Sequence, residues 1–298
     1  MKHLLSLESL PAGDMAEILA LTQTIKATRS HPAEHPLRNQ CWGMIFSKSS
    51  TRTRVSFEVG IRELGGDALF LSANDIQLGR GEPIKDTARV MGRMLHGAVI
   101  RTFAQKDVED FARYSNIPTI NALTDEEHPC QILADLFTIQ EKLGSYEGKT
   151  VTFIGDGACN VARSWIWAAS KLGVKLRIAA PKPFQPSPEL IARAGGDILV
   201  TDDVVAAVSG ADVLYTDVWV SMGLEREAEY RLAQLVGYQI NAELLKHAAP
   251  GALAMHCLPA YRGKEITDEV VETHADTIFT EAENRLHVQK AIITWLLK

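Results

Sequence analysis

The stretch CWGMIFSKSSTRTRVSFEVG, residues 41–60, decides the fold class. Its first six residues are an apolar run of strand length, and from Thr53 apolar residues recur at helical spacing as far as Leu64. A strand that leads directly into a helix is the repeating unit of parallel sheets. We therefore predict an α/β protein with hydroxyl and guanidinium groups at the carboxyl end of a strand.

The same alternation continues along nearly the whole chain. Strands are predicted at Cys41–Ser47, Ala68–Ser72, Gly97–Thr102, Thr119–Leu123, Thr150–Gly155, Leu176–Ala180, Ile198–Thr201, Val213–Asp217, Leu253–Leu258 and Thr277–Thr280. Helices are predicted at Thr53–Leu64, Ile84–Leu95, Val108–Tyr114, Pro129–Leu143, Val161–Leu172, Pro188–Ala194, Glu227–Val236 and Asn284–Leu297. Because ten strands would make an unusually wide sheet, we predict two doubly wound parallel-sheet domains joined by long helices.

The join between the domains is predicted at the helix Pro129–Leu143, because Gly144-Ser-Tyr-Glu-Gly148 follows it before a new strand begins. The first domain is residues 1–143 and the second is residues 144–298. The last helix, about 284–298, is expected to return to the first domain. A length of 298 residues agrees with two domains.

Composition excludes several classes of partner. A net charge of −6 argues against nucleic-acid and anionic-membrane binding, because both need a surplus of Lys and Arg. No run of about 18 apolar residues is present, so we expect a cytoplasmic protein without a membrane segment. The four cysteines are scattered without metal-ligand spacing, so neither a metal site nor a disulfide framework is expected.

Residues Ser50–Arg54 follow a strand and enter a helix, which suits the binding of an anion such as phosphate. The alternative is a solvated helix start with Ser or Thr as its cap. Gln77 lies in the next strand-to-helix loop, Arg101 ends a strand, and His128 precedes the long helix, with Gln131 in its first turn. Each has an ordinary structural reading, such as a surface ion pair for Arg101.

The motifs STRTR, RGEPIKDTAR, HPCQILADL and HCLPAYRG, in that order, resemble the aspartate/ornithine transcarbamylase family, most closely its ornithine branch. The resemblance spans nearly the whole chain. It implies an enzyme that transfers a carbamoyl group from carbamoyl phosphate to the side-chain amine of L-ornithine, giving L-citrulline and phosphate. It also implies a homotrimer or a multiple of trimers, and no cofactor. Synthesis of citrulline for arginine and its phosphorolysis in the arginine deiminase pathway both remain open.

The resemblance assigns the first domain to carbamoyl phosphate and the second to ornithine. Implied carbamoyl phosphate ligands are Ser50, Thr51, Arg52, Thr53, Gln77, Arg101, His128, Pro129, Cys130, Gln131, Cys257, Leu258 and Arg285. Implied ornithine ligands are Asn160, Asp217, Ser221 and Met222. Arg52, Arg101, His128, Asp217 and Cys257 are implied to take part in catalysis, and the Gln77 loop is implied to reach the site of a neighbouring subunit.

Two stretches of the second domain allow other interpretations. The loop from Gly155 to Asn160 could suggest dinucleotide binding, but Asn160 replaces the last glycine of that motif, and the next strand ends at Ala180 without an acidic residue. Cys159-Asn160 also departs from the Asn-Asn pair that is commoner in the family. Cys257 could be proposed as a nucleophile, but no base lies near it in the sequence, and a structural thiol is the simpler interpretation.

Asp217 ends a strand ahead of Ser221-Met-Gly223, and its charge suits an ammonium group, although an N-cap aspartate and a turn would look alike. Arg285 is expected to open the last helix and to face an anion there. Carbamoyl transfer to ornithine is favoured over putrescine or N-acetylornithine. A nucleotide-dependent oxidoreductase and a catalytically silent anion-binding homologue are the other classes that remain.

Overall fold

The computed structural model describes residues 1–31, 35–72 and 81–298. The chain divides into two compact units: unit 1 is Met1–Ala134 with Glu283–Lys298, and unit 2 is Asp135–Ala282. The division falls inside the helix Pro129–Leu143. The domain limits predicted at residues 143 and 144 stay a prediction.

Unit 1 is built on four parallel strands. Its elements in chain order are α1 (Ala12–Ala27), β1 (Cys41–Phe46), α2 (Thr51–Glu63), β2 (Asp67–Ser72), α3 (Ile84–Met91), β3 (Gly97–Arg101), α4 (Gln105–Ser115) and β4 (Thr119–Leu123), followed by α5 (Pro129–Leu143). The strand order is β2-β1-β3-β4. Because the chain crosses from one side of β1 to the other, the carboxyl ends of β1 and β3 flank a topological switch point, where open α/β sheets bind ligands.

Unit 2 repeats this plan with five parallel strands. It contains β5 (Thr150–Ile154), α6 (Asn160–Leu172), β6 (Lys175–Ala179), α7 (Pro188–Ala194), β7 (Ile198–Thr201), α8 (Val204–Val208), β8 (Val213–Thr216), α9 (Ala228–Leu235), α10 (Ala242–Leu245), β9 (Leu253–His256), α11 (Asp268–Thr273) and the start of α12 (Ala275–Leu296). The order β7-β6-β5-β8-β9 places a second switch point between β5 and β8.

The predicted fold class is confirmed, since both sheets are parallel and α/β in construction. Every residue of β3 and β5 is buried, as expected for strands covered on both faces. The strand predicted at Thr277–Thr280 is wrong, because these residues lie inside α12. A short apolar run has no period of its own, and here it continues the helical pattern that buries Ile278 and Glu281.

The end of α12 belongs to unit 1 and packs on α2 there. A Cβ added to Gly60 of α2 would lie 3.2 Å from Cγ of Lys290, so the two helices approach closely at this point. Nζ of Lys290 also donates to Oε2 of Glu63 at 2.7 Å. The predicted return of the last helix to the first part of the chain is therefore part of the fold.

Among the residues described, each helix is too short or too polar to serve as a membrane span.

Candidate active site

The carboxyl ends of β1 and β3 lie side by side, and the backbone N–H of Ser47 donates to the carbonyl of Arg101 at 2.7 Å. Ser50 is the N-cap of α2, because its hydroxyl accepts from the N–H of Thr53 at 3.3 Å. The cap interpretation of this stretch is therefore confirmed. The same hydroxyl donates to Oγ1 of Thr53 at 3.0 Å. The cap is compatible with anion binding by the other N–H groups at the start of α2.

Arg285 joins this cluster from a distant part of the chain. Its Nη2 donates to Oγ1 of Thr53 at 2.6 Å, and its side chain is only 3% exposed. The expectation that Arg285 opens the last helix is wrong, because α12 begins ten residues earlier, at Ala275. The helix macrodipole therefore says nothing about this arginine, and its position in the cluster is set by packing on α2.

His128 lies at the N-terminal edge of α5, as predicted, and is buried. Burial lowers the pKa of its imidazole well below the usual value, and the charges of Arg285 and Arg101 lower it further. The imidazole is therefore neutral near pH 7. The same arrangement shows that two buried guanidinium groups lie within electrostatic reach of one ring.

The other predicted ligands of unit 1 differ in exposure. Cys130 and Gln131 are buried in the first turn of α5, whose first residue is Pro129. Burial raises the pKa of the Cys130 thiol to about 12, although the charge of Arg285 opposes this. Thr51 is exposed and Arg52 is half-buried, so both are open to a ligand from solvent. Gln77 lies outside the described residues.

Sequence reasoning missed Lys48, which lies two residues before the cap of α2. Its buried ammonium group forms an ion pair with Asp125 and lies 4.4 Å from the ring centroid of Phe103. These contacts tie the loop after β1 to the loops after β3 and β4. A lysine inside a predicted anion loop was the available signal, but its partners are distant in sequence.

In unit 2 the carboxyl ends of β8 and β9 bring Asp217 and Cys257 into contact. Sγ of Cys257 donates to Oδ1 of Asp217 at 2.9 Å, and the N–H of Val218 donates to the same oxygen at 2.7 Å. Both side chains belong to residues that are 9% exposed. In the described part of the chain, no hydrogen bond reaches Oδ2 of Asp217, so this oxygen can accept from a ligand.

The environment of Cys257 argues against a nucleophilic role. Burial is the main cause that raises the pKa of its thiol well above the ordinary value. The charge of Asp217, the hydrogen bond to Asp217 and the charges of Glu281 and Asp135 raise this pKa further, in decreasing order. The thiolate, which is the reactive species, is therefore strongly disfavoured. Cys257 acts as a hydrogen-bond donor to Asp217.

The remaining predicted ornithine ligands lie on two loops of unit 2. Asn160 is the first residue of α6, and Sγ of Cys159 caps that helix by accepting from the N–H of Ala162 at 3.5 Å. A thiol thus does here what an asparagine side chain does at an N-cap. Ser221 is half-buried, and Met222 is 48% exposed in the segment between β8 and α9.

His256 and Glu265 support the turn at Cys257 and Leu258, and no role was predicted for either residue. Nδ1 of His256 accepts from the N–H of Leu258 at 2.9 Å, so its other nitrogen, Nε2, carries the proton towards Glu265 at 3.1 Å. Leu258 has φ +58°. Ligand atoms of His256, Cys257 and Asp217 lie within 4.8 Å of one another. Both ring nitrogens of His256 are already hydrogen-bonded, so a cation bound there would have to displace either the N–H of Leu258 or the carboxylate of Glu265.

In comparison with known proteins, both halves of the chain match domains of the same family. The model of the carbamoyl-phosphate-binding domain of aspartate/ornithine carbamoyltransferase matches residues 2–141. The model of the aspartate/ornithine-binding domain matches residues 147–296. An ornithine carbamoyltransferase of Akkermansia muciniphila is 56% identical over 299 residues, which cover 99% of this chain and 98% of the relative.

Solved structures give the same result. The anabolic ornithine carbamoyltransferase from Campylobacter jejuni has a TM-score of 0.93 at 42% identity, with 99% of both chains covered. The ornithine carbamoyltransferase from Pyrococcus furiosus has a TM-score of 0.91 at 44% identity, with 98% of this chain and 96% of that chain covered.

The raised pKa values of the buried thiols predict which cysteines an alkylating reagent can reach. The pKa of Cys41 is raised as well, but Cys41 is only half-buried, so at pH 8 iodoacetamide should modify it well before Cys130, Cys159 and Cys257. Peptide mass spectrometry measures the order, and the same reaction in denaturant should modify all four. Rapid alkylation of Cys257 in the native protein would contradict its role as a protonated donor.

Proposed function

The chain belongs to the aspartate/ornithine carbamoyltransferase family, and from that membership we propose that it carbamoylates the side-chain amine of L-ornithine. The donor is carbamoyl phosphate, and the products are L-citrulline and phosphate. The observation that supports ornithine as the acceptor is the buried carboxylate of Asp217, which Cys257 contacts. A buried carboxylate attracts an ammonium group and repels the second carboxylate of aspartate.

Unit 1 is proposed to bind carbamoyl phosphate. The phosphate is held by Ser50, Thr51, Arg52 and Thr53 at the start of α2, with Arg101 and Arg285 beside it. Support comes from the buried guanidinium groups, which a phosphate matches in charge and geometry. His128, Pro129, Cys130 and Gln131 bind the carbamoyl end, and Cys257 and Leu258 of unit 2 contact it during transfer.

The charges in unit 1 suit the negative charge that develops during the reaction. Attack by the amine puts negative charge on the carbonyl oxygen, and the charge then passes to the departing phosphate. Fixed donors aimed at such charge are the largest single contribution in many enzymes. Because burial and the charges of Arg285 and Arg101 hold the pKa of His128 low, its ring is a poor proton acceptor and has no imidazolium proton to give, so we assign it a hydrogen bond to the carbonyl oxygen.

Unit 2 is proposed to bind and orient ornithine. Asn160 binds the α-carboxylate, and Ser221 and Met222 line the amino-acid end, while Asp217 orients the amines. A free side-chain amine titrates near 10.4, so at pH 7 only about one molecule in 2,500 is nucleophilic, a penalty of roughly 4.6 kcal/mol. The ammonium group first loses one proton to solvent, and after attack the same nitrogen loses a second proton, which passes to the departing phosphate.

We also propose a homotrimer, as in the family that the chain resembles, because the Gln77 loop is expected to serve a neighbouring subunit. Exposed apolar side chains of unit 1 offer surface for such contacts: Val55, Leu69, Val90, Met94 and Phe103. Light scattering should give about three times the chain mass of 32.7 kDa. A mass of one chain in an active preparation would rule the trimer out. Four separated free cysteines suit a reducing compartment, and we propose the cytoplasm.

The function is tested by citrulline formation. Carbamoyl phosphate is supplied with ornithine, putrescine, aspartate or N-acetylornithine in parallel, and product and phosphate are both measured. We expect turnover with ornithine, with equal amounts of citrulline and phosphate, and much lower turnover with the other amines. Binding of carbamoyl phosphate without turnover of any amine would instead identify a silent homologue.

Variants of the two charged groups should affect different substrates. Arg52→Ala should lower kcat/KM by about 100-fold or more, since it removes a charge-assisted contact to phosphate. Asp217→Asn should raise the ornithine KM while leaving the Kd of carbamoyl phosphate, measured by calorimetry, within about twofold. The matched control is Arg62→Ala, because Arg62 lies further along α2, is 66% exposed and pairs with Glu58 at 2.9 Å.

Full activity of the Arg52 variant would remove the phosphate site from this account. Equal losses of ornithine and carbamoyl phosphate affinity in the Asp217 variant would refute the assignment of one substrate to each unit.

A further inference from the structure

An ion pair between the buried Asp156 and the half-buried Arg231 joins the two regions of unit 2 that carry the proposed ornithine ligands. Nη1 of Arg231 lies 2.7 Å from Oδ2 of Asp156, and the side chains are 11% and 6% exposed. Asp156 lies in the loop after β5, four residues before Asn160. Arg231 lies in the first half of α9, which follows the segment Ser221–Gly223.

Both partners are held in place by further contacts. Nε of Arg231 donates to Oε2 of Glu227 at 3.0 Å, and its guanidinium lies 5.0 Å from the ring centroid of Phe184. Oδ1 of Asp156 accepts from the N–H of Ala158 at 3.0 Å. Because each side chain makes further contacts, the ion pair is held in one geometry, unlike the mobile ion pairs of an exposed surface.

The other end of the same segment also rests on the loop after β5. A Cβ added to Gly155 would lie 3.6 Å from Cδ1 of Trp219, and Trp219 is only 7% exposed. Two contacts, at Trp219 and at Arg231, thus lie on either side of Ser221–Gly223 and connect both flanks of this segment to the loop after β5. Where Ser221 and Met222 lie relative to Asn160 depends on these contacts.

Arg231 also neutralises a carboxylate in the neighbourhood of Asp217. Burial raises the pKa of Asp156, while its bonds to Ala158 and Arg231 oppose that rise, and the charge of Asp217 raises it further. Asp156 and Asp217 therefore interact electrostatically. Without the guanidinium, the buried carboxyl group of Asp156 would lose the hydrogen bond and the charge that favour its ionised form.

We propose that Arg231 and Asp156 form a positioning pair that sets the affinity for ornithine. The pair holds the Ser221–Gly223 segment against the Asn160 loop and leaves Asp217 as the carboxylate that meets the substrate. Neither residue is required to touch ornithine. The inference rests on the proposed function, because it concerns the acceptor site of that reaction.

The test compares Arg231→Met, Asp156→Asn, the double variant and Arg231→Lys, with Arg226→Met as the control on an exposed arginine of the same segment. Ornithine KM and kcat are measured at saturating carbamoyl phosphate, together with the Kd of carbamoyl phosphate and the Tm. Each single neutralisation should raise the ornithine KM by about 10- to 100-fold, the scale of a lost charge-assisted bond. The carbamoyl phosphate Kd and the control variant should stay within about twofold.

The double variant should be no worse than either single variant, because both remove the same interaction. Arg231→Lys should recover part of the affinity, since it keeps the charge without the fork. An unchanged ornithine KM, additive losses, or equal loss of both substrates would overturn the inference. If the wild-type protein makes no citrulline at all, the proposed function fails instead, so the two failures are distinguishable.

Discussion

Two buried guanidinium groups, those of Arg101 and Arg285, act on the imidazole of His128, and the rest of unit 1 holds them there. Removing such charges from water is costly unless charge of opposite sign meets them. Arg101 is placed by the end of β3, and Arg285 by the packing of α12 on α2. The fold therefore fixes the positions of two cationic groups before any substrate arrives, which is the basis of the proposed anion site.

Unit 2 has the same sheet architecture, but the group at its strand ends has negative instead of positive charge. The strand ends at its switch point present Asp217, whose carboxylate accepts from the thiol of Cys257, while the His256–Glu265 pair supports the turn that carries the thiol. One type of sheet thus carries a cationic cluster in unit 1 and a carboxylate in unit 2, and we propose these as the sites for the donor and the acceptor. The residues at the strand ends determine this difference, because the two sheets are otherwise built alike.

Local sequence patterns were enough to predict the parallel sheets and most helices, because strand and helix periodicity are properties of neighbouring residues. The placements of His128 before α5 and Asp217 after β8 followed for the same reason. Periodicity failed at Thr277–Thr280, where four residues are too few to distinguish a strand from a buried helix segment. That error also misplaced the start of α12 and hence the environment of Arg285.

Contacts between distant parts of the chain could not be predicted in this way. Arg285 meets Thr53 across 232 positions, and Arg231 meets Asp156 across 75. The residues next to each arginine in the sequence do not indicate its partner, and a charged residue in a helix is usually exposed to solvent. The sequence therefore indicated which residue types gather at strand ends, while folding selects the individual partners that orient them.

An anion site at the start of α2 is the feature on which the proposed chemistry depends, and a crystal structure with a phosphonate bisubstrate mimic tests it most directly. We predict the phosphonate beside Ser50–Thr53 and Arg101, with the α-carboxylate of the mimic near Asn160. A phosphonate bound elsewhere, with the Arg52 loop empty, would contradict the account.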